Sequence, residues 1–108
     1  MKHAHLLVLC NCPDGDTAET IAETVVALGL AACVTITPDV KSVYRWQGRV
    51  ETESEYSLTI KTTTTAYQEL ERTLFEAHPY DVPEIIAIPI VAGLPEYLAW
   101  IDESTTSR

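Results

Sequence analysis

The chain has 108 residues, with 7 Lys and Arg set against 16 Asp and Glu, for a formal net charge of −9. That balance disfavours nucleic acid and anionic membrane as partners, since both need clustered cations and those present are scattered from Lys2 to Arg108. A hydrophobic content of 46% excludes a disordered chain, and no apolar run nears the ~20 residues of a membrane-spanning helix.

Residues 5–10 form a continuous apolar run ended by Asn11-Cys12-Pro13-Asp14-Gly15, which predicts a strand buried on both faces and then a turn. Asp16 and Glu19 have capping-box spacing; Ala18, Ile21, Ala22, Val25 and Leu28 follow at helical spacing, and Gly29 supplies the stop. Residues 30–37 read as a strand interrupted at Pro38-Asp39, after which Val40, Ser42, Tyr44 and Trp46 continue on one face. Gln47-Gly48 offers a tight turn into a strand in which Tyr56, Leu58 and Ile60 alternate with polar residues, so the two strands form a long hairpin. Thr64 or Thr65 can cap a second helix carrying Tyr67, Leu70 and Leu74, which His78-Pro79 ends. Residues 85–90 give a last strand, an edge strand because Pro89 cannot donate to a ladder, and Pro95 opens a short helix carrying Tyr97, Leu98, Trp100 and Ile101.

The order βαββαβ plus a helix is that of the ferredoxin-like α+β sandwich, with the first and third strands central. Two helices cover one face of such a sheet, so the other must be polar, covered by the chain, or buried by a partner. The aromatic pairs Tyr44/Trp46 and Tyr97/Trp100 suit either the domain's own core or an interface between subunits, and we favour the interface. A chain of this size buries only about 60–65% of its unfolded surface, which points the same way. The expectation is a single domain over residues 1–108.

The usual nucleophile, metalloprotease and phosphate-loop motifs are absent, so no catalytic residue is assigned and an enzyme is not expected. The three cysteines are odd in number and none lies in a CxxC, which fits reduced thiols in the cytoplasm better than disulfides; the first residues also lack the apolar stretch of a signal peptide. Cys10 and Cys12 point to one face of a strand, where with an imidazole they would suit copper or zinc; free cysteines are more often small buried hydrophobes, and on the residues alone that reading leads. Cys33, in an apolar stretch, reads as core. His78, before a stiff loop with Pro79 and Pro83, suits a metal ligand, a proton acceptor or a helix cap. Glu51, Glu53 and Glu55 form a carboxylate row that is either a solvated face, a weak cation collector, or a partner for Arg45 or Arg49. Met1-Lys2-His3 has the amine-to-third-histidine spacing that wraps square-planar Cu(II).

Leu30-Ala31-Ala32-Cys33-Val34, Ser42-x-Tyr44-x-Trp46-x-Gly48-x-x-Glu51, Lys61-Thr62, His78-Pro79-Tyr80-x-x-Pro83-Glu84 and Tyr97-Leu98-x-Trp100 together resemble the CutA divalent-cation tolerance family, in register over residues 6–102. The resemblance implies a ferredoxin-like homotrimer, similar to PII signal proteins, with Tyr44, Trp46, Glu51, Tyr80, Pro83, Glu84 and Trp100 at subunit contacts or clefts. It also implies a response to divalent metal ions, copper above all, at a cysteine ending the first strand and two consecutive histidines before Pro-Tyr. Those positions are Cys10, Ala77 and His78, so one family ligand is missing here, and Cys12, an acidic side chain or a neighbouring subunit would have to replace it. The alternative implied by the PII likeness is a regulatory or scaffold trimer that binds a small molecule or protein in its intersubunit clefts.

Overall fold

Strict alternation governs the first strand, β1 (His5–Cys12): Leu6, Val8, Cys10 and Cys12 are buried while the residues between them are half-buried. The computed structural model describes residues 3–105, and there β1 runs two residues beyond its apolar block and packs fully on one face only. The expected burial on both faces is thus corrected. The chain continues through α1 (Gly15–Ala27), β2 (Cys33–Trp46), β3 (Arg49–Thr63), α2 (Tyr67–Ala77), β4 (Ile86–Pro89) and α3 (Pro95–Ser104). The four strands form one antiparallel sheet in the order β2-β3-β1-β4, which puts β1 and β3 at the centre as the βαββαβ order requires.

The buried face of β1, with Leu58 and Ile60 of β3, meets Ala18, Ile21 and Val25 of α1 and Leu70 and Leu74 of α2. Each helix thus presents one apolar stripe at helical spacing to the sheet. Because β1 is longer than expected, α1 starts sooner: Asp14, not Asp16, is the N-cap, and its carboxylate accepts the Thr17 N–H at 2.8 Å. The Thr17 backbone bond, with the Thr17 hydroxyl, holds the Asp14 carboxyl below its ordinary range. A lowered carboxyl pKa contributes stability above the unfolded value near 3.9 that is lost as pH falls through the folded value. Asp14→Ala is therefore expected to melt earlier than wild type at about pH 7 and together with it at about pH 2. Paired thermal melts check this, and a gap that persists in acid would contradict it.

The hairpin has the expected tight turn, with Gln47 and Gly48 both at positive φ, 49° and 79°, as a type I′ connection demands. At Pro38-Asp39 the ladder slips by one residue, and Asp39 takes the left-handed region at φ 57°. The bulge keeps Ser42 and Tyr44 on the same face as Cys33, opposite Glu53 and Glu51. Three boundaries differ from expectation. β2 starts at Cys33 because Leu30, Ala31 and Ala32 are buried in the turn after α1. α2 is capped by Ala66 without a side-chain bond, since the nearest hydroxyl, that of Thr63, accepts the Ala66 N–H instead. β4 is confined to Ile86–Pro89 and lies at an edge, which tolerates Pro89.

On the sheet face opposite α1 and α2, α3 reaches back to the start of β1, where His5 Nε2 donates to the Asp102 carboxylate at 2.9 Å and Ile101 is fully buried. Beyond that contact large apolar groups lie open: Trp46 is 60% exposed, Val50 70%, Ile86 50% and Ile88 44%.

Candidate metal centre

The end of β1 and the segment after α2 converge. Cys10 and Cys12 share the buried face of β1, and His78, the residue that closes α2, is 7% exposed. The two sulfurs and one imidazole nitrogen lie within 4.8 Å of one another, in a cluster whose three residues are all buried. The three cysteines are free thiols. The S–H···S contact between Cys10 and Cys12, then burial, then the carboxylates of Glu84 and Glu55, push the Cys10 thiol above its ordinary range. The same contact draws the Cys12 thiol below its own, against burial. The contact thus separates the two thiols, Cys12 losing its proton before Cys10, because one thiolate accepts the other's S–H.

His78 is tied at both nitrogens. Its Nδ1 accepts the Tyr80 N–H at 3.2 Å, and its Nε2 lies 2.7 Å from the Asn11 carbonyl, which can only accept. The imidazole is therefore neutral with its proton on Nε2, and it clamps the peptide that separates Cys10 from Cys12. The ring does not cap the last carbonyls of α2. Ala77, at the position of the first family histidine, is exposed and outside the cluster.

Beside the thiols lies a network the sequence reading did not find. Glu55 is 8% exposed, and its carboxylate accepts the Ser42 hydroxyl at 2.7 Å, the Asn11 amide at 3.2 Å and the Tyr80 hydroxyl at 2.9 Å. Burial first, and then the bond to Glu55, push the Tyr80 phenol above its ordinary range. Glu55 was visible in sequence only as the end of a carboxylate row. The outward members of that row face Tyr44 and Ser42 across the hairpin, whereas Arg45 lies opposite Val50. The ion pairs of the described residues involve His5, Asp102, Arg72, Glu69 and Glu76, so of the alternatives for the carboxylate row the pairing with Arg45 or Arg49 is not found there.

Of the remaining expected site residues, Tyr44, Trp46 and Trp100 are exposed on the hairpin and α3, Glu51 and Pro83 are half-buried, and Glu84 is exposed. Cys33 is half-buried, with the Lys61 ammonium 3.5 Å from its sulfur, and is not core as its apolar neighbours suggest. Met1 and Lys2 of the N-terminal copper motif lie outside the described residues. A concavity of about 450 Å³ between His3, Thr64, Asp102 and Thr105 is at the other end of β1 and does not include the thiols.

Residues 6–104 match the CutA1 divalent ion tolerance protein family. The chain is 48% identical over 99 residues to the divalent-cation tolerance protein CutA of Thermus thermophilus, covering 92% of this chain and 96% of that one. To the Escherichia coli O139:H28 protein of the same name it is 41% identical over 101 residues, covering 94% and 90%. Among solved structures, CutA1 from Shewanella sp. SIB1 superimposes with a TM-score of 0.95 at 41% identity, covering 99% of this chain and all of that one. CutA1 from Oryza sativa gives 0.95 at 37% identity, covering 98% and 97%. A relative from Archaeoglobus fulgidus, described as periplasmic, gives 0.89 at 38% identity, covering 93% and 97%. No helix of the described residues is long and apolar enough to cross a membrane.

Proposed function

The chain belongs to the CutA1 divalent ion tolerance family, and from that membership we propose that it acts as a homotrimer that binds copper or another divalent cation at the Cys10, Cys12 and His78 cluster. The observation that carries this reading is the convergence of two sulfurs and an imidazole within 4.8 Å in a buried site. Cysteine sulfur and imidazole nitrogen are the donors that suit copper and zinc over magnesium or calcium. Trimer formation is supported by the sheet face that α1 and α2 leave open and by the apolar groups of the hairpin and β4. Three free cysteines fit a reducing compartment, and we place the protein in the cytoplasm on that ground.

Metal analysis of untagged protein purified without chelator, alongside native mass, tests the proposal. Bound copper or zinc in a particle of three chains is the expected result. A monomer, or metal at background in protein that also refuses added copper, would overturn it. The bonds that satisfy both nitrogens of His78 favour a second reading, a PII-like regulatory trimer whose clefts bind a small molecule or protein. Metabolites that co-purify with a metal-free trimer would select that reading.

A further inference from the structure

Cys10 and Cys12 are closed to solvent within the core, whereas Cys33 is half-buried on β2, an edge strand of the sheet. The register sets Cys33 directly across from Lys61, whose neighbour on the other side is Leu7, on the face away from α1 and α2. The Lys61 ammonium donates to the Cys33 sulfur at 3.5 Å and enters no ion pair among the described residues. An oxidisable sulfur and a nucleophilic nitrogen thus lie side by side, held in place by paired strands and not by a mobile loop. Cys10 and Cys12 face the helices through the other side of the sheet. Neither of those thiols reaches Cys33 within one chain, so the reactive partner at hand is the amine.

We infer that Cys33 and Lys61 form a reversible covalent pair when the protein meets a peroxide. The peroxide takes the thiol to a sulfenic acid and is itself reduced to water. Sulfenic acids condense with nitrogen as well as with thiols, and the nitrogen in reach is Lys61 Nζ. Nζ first gives a proton to solvent. Its lone pair then forms the S–N bond as the S–O bond breaks, and the departing hydroxide takes a second proton from nitrogen and leaves as water. The product is a sulfenamide joining β2 to β3. A dithiol reductant attacks the sulfur, frees both side chains and is oxidised to its disulfide. The pair is separate from the Cys10, Cys12 and His78 cluster and needs no metal ion.

The test is mass spectrometry of the folded protein after hydrogen peroxide, digested with trypsin in the absence of reductant. Trypsin cuts after Lys2, Lys41, Arg45, Arg49, Lys61 and Arg72, so Cys33 falls in residues 3–41 and Lys61 ends residues 50–61. Cleavage at Lys61 is expected to be blocked, and residues 3–41 are expected to appear joined to residues 50–72, lighter by a pair of hydrogen atoms than the separate peptides. Dithiothreitol is expected to restore both. A disulfide between Cys10 and Cys12 stays inside residues 3–41 and cannot mimic this product. Lys61→Arg keeps a cation beside the sulfur without a nucleophilic amine; it is expected to lose the link and to carry a sulfinic acid at Cys33 instead. Wild type unfolded in denaturant before peroxide is expected to lose the link as well, which keeps the test decisive if the variant does not fold. Complete cleavage at Lys61 in oxidised, folded wild type, or a link equally abundant in unfolded protein, would overturn the inference.

Discussion

Glu55→Ala is expected to destabilise the fold by about 3–5 kcal/mol, since hydrogen bonds to a charged group are worth ~1.5–3 kcal/mol each and are not additive. Three donors lose their acceptor at once: the Ser42 hydroxyl on β2, the Asn11 amide on β1 and the Tyr80 hydroxyl after α2. The carboxylate therefore joins three segments that are far apart in the chain, and alanine leaves only the long Asn11 amide bond to the Ser42 hydroxyl, 3.4 Å, among their polar groups. Glu55→Gln keeps an acceptor oxygen and should lose less. Chemical denaturation of the three proteins gives the order. A difference under about 1 kcal/mol for alanine, the worth of one surface contact, would show that water replaces the carboxylate.

The same substitution has a titration signature. Tyr80 is pushed up by burial and then by Glu55, so its phenol holds its proton more tightly when folded than the unfolded value near 10 implies. The associated stability is present in full below about pH 10 and is lost as pH rises through the folded value. In Glu55→Ala the tyrosinate absorbance of Tyr80 should emerge at lower pH than in wild type. An unchanged titration would mean that the hydroxyl does not depend on Glu55.

Dilution is expected to lower the melting temperature. If three folded chains unfold to three separate ones, each tenfold dilution removes twice the ~1.4 kcal/mol that a decade of concentration is worth, about 2.8 kcal/mol per trimer. The groups that association would bury are identifiable: Trp46 and Val50 on the hairpin, Ile86 and Ile88 on β4, and Trp100 on α3 are all exposed in the single chain. Large apolar side chains left open in this way are the groups an interface would cover. Trp46→Asp should deepen the concentration dependence or yield monomer. A melting temperature that does not move with concentration, together with a native mass of one chain, would contradict the assembly.

Element order and strand arrangement were legible because they follow from local signals: apolar alternation in β3, helical spacing in α1, proline at the edge in β4 and at the first turn of α3. Boundaries were less so. Asp14 and Asp16 are both competent caps, and the choice fell to the length of β1, which depends on pairing Cys12 with Tyr56, 44 residues away in sequence. Leu7 and Leu9 made β1 read as buried on both sides; in the single chain they lie half-buried on the open face. Apolar composition in β1 thus exceeds what the single chain buries.

The candidate site was half legible. Cys10, Cys12 and His78 could be named from spacing and resemblance, and the fold brings them together. What sequence could not show is that the partner of His78 is a backbone carbonyl, which any residue carries. The Glu55 network was hidden for a related reason, since its members are common polar residues joined only by tertiary contact. Cys33 misled because apolar neighbours imply a core position, while the strand's pleat turns its side chain towards Lys61.

The most direct test of the central claim is a copper titration of wild type and Cys10→Ala under both reducing and non-reducing conditions. The proposed metal-binding function predicts that wild type binds copper with Cys10 as a ligand and that Cys10→Ala loses the site while keeping the native mass of wild type. Equal affinity and stoichiometry in the two proteins would contradict it.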